Sequence, residues 1–463
     1  MYQKSFLLYT IYFNMKLTAG LTLFLIISAA INIYGESSTY IGGKALLGSK
    51  VFIDSQGEFP AKYTGMLSLN PQLSIENRTG VLSVSGSLHM EAEKAEPATD
   101  VHLEIDTFSA ELYPFPFLTF RFGRFSYLPS PSDFLAVSNF FSGLSFTQLM
   151  SEDYANIKQP ADIFQAVGYL GLYYLKLTAT PFVKGFDIPS PESPWFSRNN
   201  LPETIPTGLG NTIPLRNIYV KNTEPAIPLT PERINWGIEA GGSIGRIDLS
   251  AHWYAGYDND PLYTAEIERF ESKDVFDINL YPEYRKKSSI ALSGVSTLGA
   301  FRGYFDGAYT FHKLFSTKLA TIHSAYTATT IVMEAPALEY TLGTSYEFPF
   351  YMLTAGIEYT DITIFTDETV ILKPSFGSGF AGYITMSLLD YKLSPSLFFL
   401  VCRKDWEDFP KEWSSAVFLD MRYITESDME FIISTPLFFG KEHTELGQYA
   451  GNYLFSAGIQ FRF

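Results

Sequence analysis

Single-residue alternation between apolar and polar side chains runs through most of this chain and narrows what it can fold into. Residues 300–312 place Phe301, Phe305, Tyr309 and Phe311 on one face and Arg302, Tyr304, Asp306, Thr310 and His312 on the other. Residues 246–257 set Ile247, Leu249, Ala251 and Trp253 against Asp248, Ser250, His252 and Tyr254. Residues 335–348 set Leu338, Tyr340, Leu342 and Tyr346 against Glu339, Thr341, Ser345 and Glu347. Side chains alternate across a strand with a period of two, so these segments read as β-strands with one apolar and one polar face. No long segment shows the 3.6-residue period of a helix.

Two architectures share that pattern. In a soluble sandwich the apolar face is the core; in a membrane barrel it meets lipid and the polar face lines a lumen. Many segments here run ten to fourteen residues, against about five or six for soluble strands. Aromatic residues are 16% of the chain and cluster at segment ends, as in Tyr113-Pro114-Phe115-Pro116-Phe117 and Phe348-Pro349-Phe350-Tyr351. Such clusters suit a girdle at a membrane interface. The expected fold is therefore all-β, a transmembrane antiparallel β-barrel of about 18 strands, running from 44–54 to 450–463. The ambiguous segment 275–282 leaves 16 to 20 open. Links alternate between tight turns and long polar loops, as in barrels with short turns at one end and long loops at the other.

Near the start of the 463-residue chain a lysine, Lys16, is followed by an apolar run from Leu17 to Ile31 and a small residue, Gly35. This is the layout of a secretory signal peptide. The expected organisation is a signal peptide at 1–35 and a single barrel over 36–463, with long outer loops at 129–160 and 185–232 and delivery to a bacterial outer membrane. The loop 186–231 carries nine prolines and reads as irregular. Residues 258–277 read as a solvated rim. Loop 129–160 is too apolar for a solvated loop, and Phe134, Phe140 and Phe141 are the candidates for a constriction folded into the lumen. The formal charge of −16 disfavours nucleic acid. A single cysteine, Cys402, excludes an internal disulfide and any cysteine-based metal centre.

The C-terminal stretch Tyr453-Leu454-Phe455-Ser456-Ala457-Gly458-Ile459-Gln460-Phe461-Arg462-Phe463 resembles the assembly signal of bacterial outer-membrane β-barrels. The resemblance implies outer-membrane lipid and the barrel-assembly machinery as partners, with Tyr453, Phe461 and Phe463 as the recognised aromatic residues.

Alternation assigns Glu76, Glu91, Glu104, Asp106, Glu239, Asp248, Asp306, Glu339, Glu347, Glu358, Asp420 and Glu430 to the lumen. Arg121, Lys176, Arg302, Lys404, Arg422 and Arg462 join them there, with His252 on the same face. Acidic rings favour cations, so the surplus of acids implies a mild cation preference, reduced where neighbours such as Asp420 and Arg422 neutralise each other. No Gly-x-Ser-x-Gly elbow, phosphate loop or His-Glu-x-x-His helix is present. His252 or His312 near a lumenal serine could be catalytic, but a hydrated pore-lining role is the expectation. The sequence thus predicts a channel, not an enzyme, for passive or weakly selective diffusion of small solutes, working without cofactor or metal. The alternatives are a transporter for a hydrophobic ligand, using the three phenylalanines, and a surface adhesin using the long loops.

Overall fold

The computed structural model describes residues 37–54, 62–77, 82–95, 98–142, 160–181, 196, 204–206, 212–220, 234–258, 262–270, 275–316, 332–366, 378–403, 413–427 and 429–462. The strands, in chain order, are β1 (Ser37–Asp54), β2 (Lys62–Asn77), β3 (Leu82–Ala95), β4 (Ala98–Phe115), β5 (Leu118–Phe125), β6 (Ala161–Leu170), β7 (Tyr173–Thr180), β8 (Thr204–Pro206) and β9 (Thr212–Val220). They continue with β10 (Asn235–Ile244), β11 (Ile247–Tyr257), β12 (Leu262–Phe270), β13 (Val275–Glu283), β14 (Lys286–Leu298), β15 (Phe301–Ser316), β16 (Val332–Glu347) and β17 (Thr354–Ile364). The last are β18 (Gly379–Thr385), β19 (Leu393–Arg403), β20 (Trp413–Ile424), β21 (Met429–Gly440) and β22 (Asn452–Arg462).

Eighteen of these form one antiparallel sheet in which chain neighbours pair, β7 passing directly to β10 and β11 to β14. Pairing of β22 with β1, from Lys44↔Arg462 to Asp54↔Asn452, joins the last strand to the first. Every strand of this sheet therefore has two partners, and the sheet is a barrel. Closure removes the free edges that lipid cannot hydrogen-bond. The count and order agree with the eighteen segments read from the sequence.

The faces follow the alternation. On β15, Tyr304, Asp306, Ala308 and Thr310 are buried, while Phe301 and Phe311 on the other face are exposed. The same outward exposure recurs at Leu175, Leu177, Trp236, Ile238, Trp253, Ile290, Leu292, Leu338, Leu342, Ile357, Leu419 and Phe455. A continuous exposed apolar belt of this kind is covered by bilayer hydrocarbon. At the tight-turn end it is bordered by rings: Phe115 stacks on Phe117, and Tyr346, Phe348, Phe350 and Tyr351 form a contact chain. Several turns there are two-residue turns led by glycine with positive φ, at Gly171, Gly245 and Gly299, a conformation that costs glycine nothing sterically.

The structure departs from the sequence reading in four places. First, 186–231 is not wholly irregular. It contributes β8 and β9, which with β12 and β13 make a separate four-stranded sheet. Pro206 and Pro214 sit on the short β8–β9 pairing, where few ladder bonds are at stake. Second, 258–277 is not merely a solvated rim, since it contains β12. The ambiguous segment 275–282 is β13, which pairs with β12 antiparallel and with β9 parallel, across a register shift at Phe276/Asp277. Phe196, Ile213, Phe276, Ile278 and Leu280 supply the apolar core that this second sheet requires. Third, the strand expected over 378–391 ends at Thr385, because Leu389, Asp390 and Tyr391 take positive φ in the turn to β19. Fourth, the inner wall is not polar all round. Phe398, Leu400, Cys402, Phe418, Phe438 and Leu454 form an apolar inner sector on β19–β22. It is covered by the turn 441–451, which buries Leu446 and Tyr449 against it and is tied down by Leu446 N–H donating to Ser414 Oγ at 3.0 Å.

Candidate functional site: a lumenal constriction

After β5 the chain turns inward and lies along the lumenal wall. Residues 126–142 contain no regular element, so their backbone N–H groups need partners elsewhere. Two carboxylates of the barrel wall supply them. Glu358 on β17 accepts from the N–H groups of Asp133 (2.6 Å), Phe134 (3.3 Å) and Leu135 (2.9 Å), from Ser132 Oγ (3.0 Å) and from Tyr304 Oη (2.6 Å). Asp306 on β15 accepts from the N–H groups of Val137 and Ser138 (both 3.0 Å), from Ser138 Oγ (3.0 Å) and Ser130 Oγ (2.5 Å), and from Ser293 Oγ on β14 (2.7 Å). Both carboxylates are 1% exposed. These partners are N–H and O–H dipoles, which satisfy the buried carboxyl oxygens.

Between the two clasps the loop tip carries Asp133. Arg302 donates to both Asp133 oxygens at 2.9 and 3.1 Å, and also to Pro131 O; Tyr304 and Tyr383 donate to Asp133 at 3.3 and 3.2 Å. Thr341 donates to Leu135 O. The ring of Tyr304 lies flat over inward-facing Gly343, where a Cβ would come within 2.2 Å of it; any side chain there would lift the phenol off Glu358.

Apolar seats complete the attachment. Phe134 packs on Tyr383 and Phe398 with centroids 5.3 and 4.4 Å apart. Phe140 stacks on Tyr254 at 5.0 Å and Phe141 meets the same ring edge-on at 5.2 Å. Phe140 and Phe141 are 4% and 8% exposed, so their faces are used by the wall and not presented to a solute. At the loop's start Tyr127 donates to Glu239, which also accepts from Lys176 Nζ (3.1 Å) and Tyr174 Oη (2.5 Å). Burial, reinforced by the Glu239 carboxylate, pushes the Tyr127 phenol far above its ordinary range, so it stays a neutral donor at all working pH values.

Of the residues expected in the lumen, Arg302, Asp306, Phe134, Phe140 and Phe141 meet in this constriction, and His252 lies beside it. Arg121 faces inward, over the Phe125 ring and 3.1 Å from Glu111. Glu339 pairs with Lys313 at 2.6 Å, and Arg422 with Asp420 at 2.9 Å, the cross-neutralisation expected. Asp248 and Glu347 stand apart and exposed near the tight-turn end, Asp248 accepting from Ser243. Glu104 and Asp106 fall on β4, but their side chains, like Lys404, lie outside the described residues. Tyr453 and Phe461 are exposed on the outer face of β22, and Phe463 is outside the described residues. Tyr304 was read on the same polar face as Arg302 and Asp306, whereas Asp133 and the serines at 130, 132 and 138 were not anticipated. The run Ser130-Pro131-Ser132-Asp133 held the signal, a set of short hydroxyl and carboxylate side chains able to bond locally.

No protein-family model matches the sequence, and no curated protein matches it. Among solved structures, the chain is similar to OccAB1 of Acinetobacter baumannii (8% identity, TM-score 0.49, covering 92% of this chain and 96% of that one). It is similar to OccK9 (OpdG) of Pseudomonas aeruginosa (8% identity, TM-score 0.47, covering 92% and 98%). It is also similar to an anion-selective porin from Comamonas acidovorans (12% identity, TM-score 0.39, covering 92% and 100%). The fold itself, an eighteen-stranded antiparallel barrel with β22 paired to β1, is read from the strand pairing.

Proposed function

We propose that this protein is a channel of the bacterial outer membrane through which small solutes diffuse passively, reaching that membrane by way of the signal peptide at 1–35. The observation that carries the reading is the inward loop: a barrel of eighteen strands is wide enough to hold water, and here a segment is fastened inside it by two buried carboxylates and three aromatic seats. A fastened segment narrows a lumen to a defined cross-section, which a merely structural barrel does not need. Partly exposed Arg121, Arg302, Asp133 and Arg422 leave charged groups facing that passage. The buried carboxyl groups of Asp306 and Glu358 stand behind it, and the surplus of acidic side chains on the inward face supports a mild preference for cations. The use of Phe140 and Phe141 as buried seats weighs against a hydrophobic ligand in their place.

Purified protein reconstituted in planar bilayers is expected to pass ions in discrete steps. It should migrate faster on unheated detergent gels than after boiling, since a closed ladder resists detergent. Absence of conductance from a preparation that shows the heat-dependent shift would refute the channel while leaving the barrel intact.

A further inference from the structure

On β11, Ser250 and His252 are two residues apart on the inward face, and Ser250 Oγ lies 2.9 Å from His252 Nε2. The register of β10 and β11 sets Glu239 directly opposite His252. The carboxylate Oε2 of Glu239 is 3.6 Å from His252 Nδ1. His252 and Glu239 are buried, while Ser250 is half-buried. The cross-strand partner of Ser250 is Gly241, whose other neighbour, on β7, is Tyr174. A Cβ at Gly241 would lie 2.5 Å from the Tyr174 hydroxyl. The absence of a side chain there lets the phenol lie across β10, where it donates to Glu239 Oε1 at 2.5 Å and reaches Ser250. The Lys176 ammonium stands 3.1 Å from Glu239 Oε2.

We propose that Ser250, His252 and Glu239 form a hydrolytic site for small carboxylic esters on the lumenal wall. The nucleophile and the base are in hydrogen-bond contact, and the positioning carboxylate stands at ion-pair distance from the other imidazole nitrogen, so each of the three roles has a residue. The imidazole tautomer with its proton on Nδ1, facing Glu239, leaves Nε2 to accept from the serine. Ser250 Oγ bonds to the ester carbonyl carbon as its proton passes to Nε2, and the carbonyl oxygen takes the negative charge. To that oxyanion we assign the Tyr174 O–H and the Lys176 ammonium, the β7 donors that also contact Glu239. Collapse breaks the bond to the leaving alcohol, which takes the proton from Nε2 and leaves an acyl-serine. Water then adds to the acyl carbon, giving its proton to Nε2. The second collapse releases the carboxylic acid and returns the proton to Ser250 Oγ. Ester and water become acid and alcohol, with no change of oxidation state. Phe140 and Phe141 sit on the Tyr254 ring, two residues beyond His252 on the same face, and we take these rings as the limit on acyl size.

The test uses the full chain purified in detergent, p-nitrophenyl acetate as substrate and a fluorophosphonate as covalent probe. One probe per chain on Ser250, located by peptide mass, is expected, with nitrophenol release above that of heat-denatured protein. Ser250→Ala should take no probe and release nitrophenol at the denatured-protein rate. His252→Ala should lose about 100-fold, the size of a general-base contribution. Glu239→Gln should lower kcat at unchanged KM, which loss of packing alone would not do. The heat-dependent gel shift reports folding of each variant. Ser250→Cys, nearly isosteric, keeps the test decisive should the alanine variant not fold: its thiol should react with iodoacetamide faster when His252 is present than in a His252→Ala background. An unreactive parent chain, a Ser250→Ala variant as reactive as the parent, or equal alkylation rates in the two backgrounds would each overturn the proposal.

Discussion

Neutralising the two wall carboxylates is the sharpest perturbation of the constriction. Glu358 accepts from four loop donors, Ser132 Oγ and the N–H groups of Asp133, Phe134 and Leu135. In Glu358→Gln a single amide oxygen replaces two carboxylate oxygens, and the new NH₂ points donors at donors. At least two loop groups then lose their partner. A buried group left unsatisfied costs about 1–3 kcal/mol, so the loop loses roughly 2–6 kcal/mol of docking. At about 1.4 kcal/mol per tenfold, its undocked population rises by between ~30- and ~2 × 10⁴-fold. Asp306→Asn acts on the donors from Ser130, Val137 and Ser138 in the same way. The two sites hold one loop, so their effects are coupled and not simply additive. The rings of Phe134, Phe140 and Phe141 remain seated, so Glu358→Gln alone should produce current noise around the parent conductance. The double variant should give larger, less uniform steps. Single-channel recording in planar bilayers reads both, with the heat-dependent gel shift as the control for closure. Parent conductance and parent noise in a correctly folded double variant would show that the loop does not limit the passage.

Three shorter expectations follow from the same geometry. Phe140→Ala leaves a cavity beneath a 4%-exposed ring and should destabilise the loop's seat by about 3–5 kcal/mol, seen as protease cleavage within 126–142 that the parent resists. Glu347→Gln, at an exposed acid near the tight-turn end, should reduce cation preference, measured as a reversal potential closer to zero in a salt gradient; Glu339→Gln should act in the same direction, because it removes the negative partner of Lys313. Deleting Phe463 should lower the amount of barrel in the outer membrane of cells yet leave refolding in detergent close to the parent's, since one terminal ring contributes only about 1.5–3 kcal/mol; equal losses in both settings would assign it to stability and not to assembly.

The barrel was legible because each wall strand separates two solvents, and that demand writes itself into the chain as alternation. Phe301, Phe305 and Phe311 had to be on one side and Asp306 on the other whatever their neighbours were. The second sheet was not legible for the converse reason. β9 contains Pro214 and shifts register against β13, so neither period nor composition survives along it. The inward loop declared itself through phenylalanines too numerous for a solvated segment. Its fastening did not, since half the contacts are made by backbone N–H groups that every residue owns. What the sequence did hold was the acceptor: Glu358 and Asp306 both stood on the inward face by parity. The Ser250 and His252 pair was likewise visible as two polar residues on one face, but Glu239 joins them only through the β10–β11 register, which a single tight turn at Gly245 fixes.

The inner wall has an apolar sector and a charged one. On β19–β22 the inward residues Phe398, Phe418, Phe438 and Leu454 are buried under Leu446 and Tyr449, so water is excluded from that sector. Phe134 of the loop packs on Phe398 at its margin, joining the loop's seat to this dry region. The partly exposed charges Arg121, Lys176, Asp133 and Arg302 belong to β5, β7, the loop tip and β15. Charged groups need water or partners, and these partly exposed pairs border the aqueous path at the level of the loop. A barrel of eighteen strands is thus reduced from two directions, by a polar loop clasped to carboxylates and by an apolar turn laid on rings. The passage that remains borders the same wall that carries Ser250 and His252.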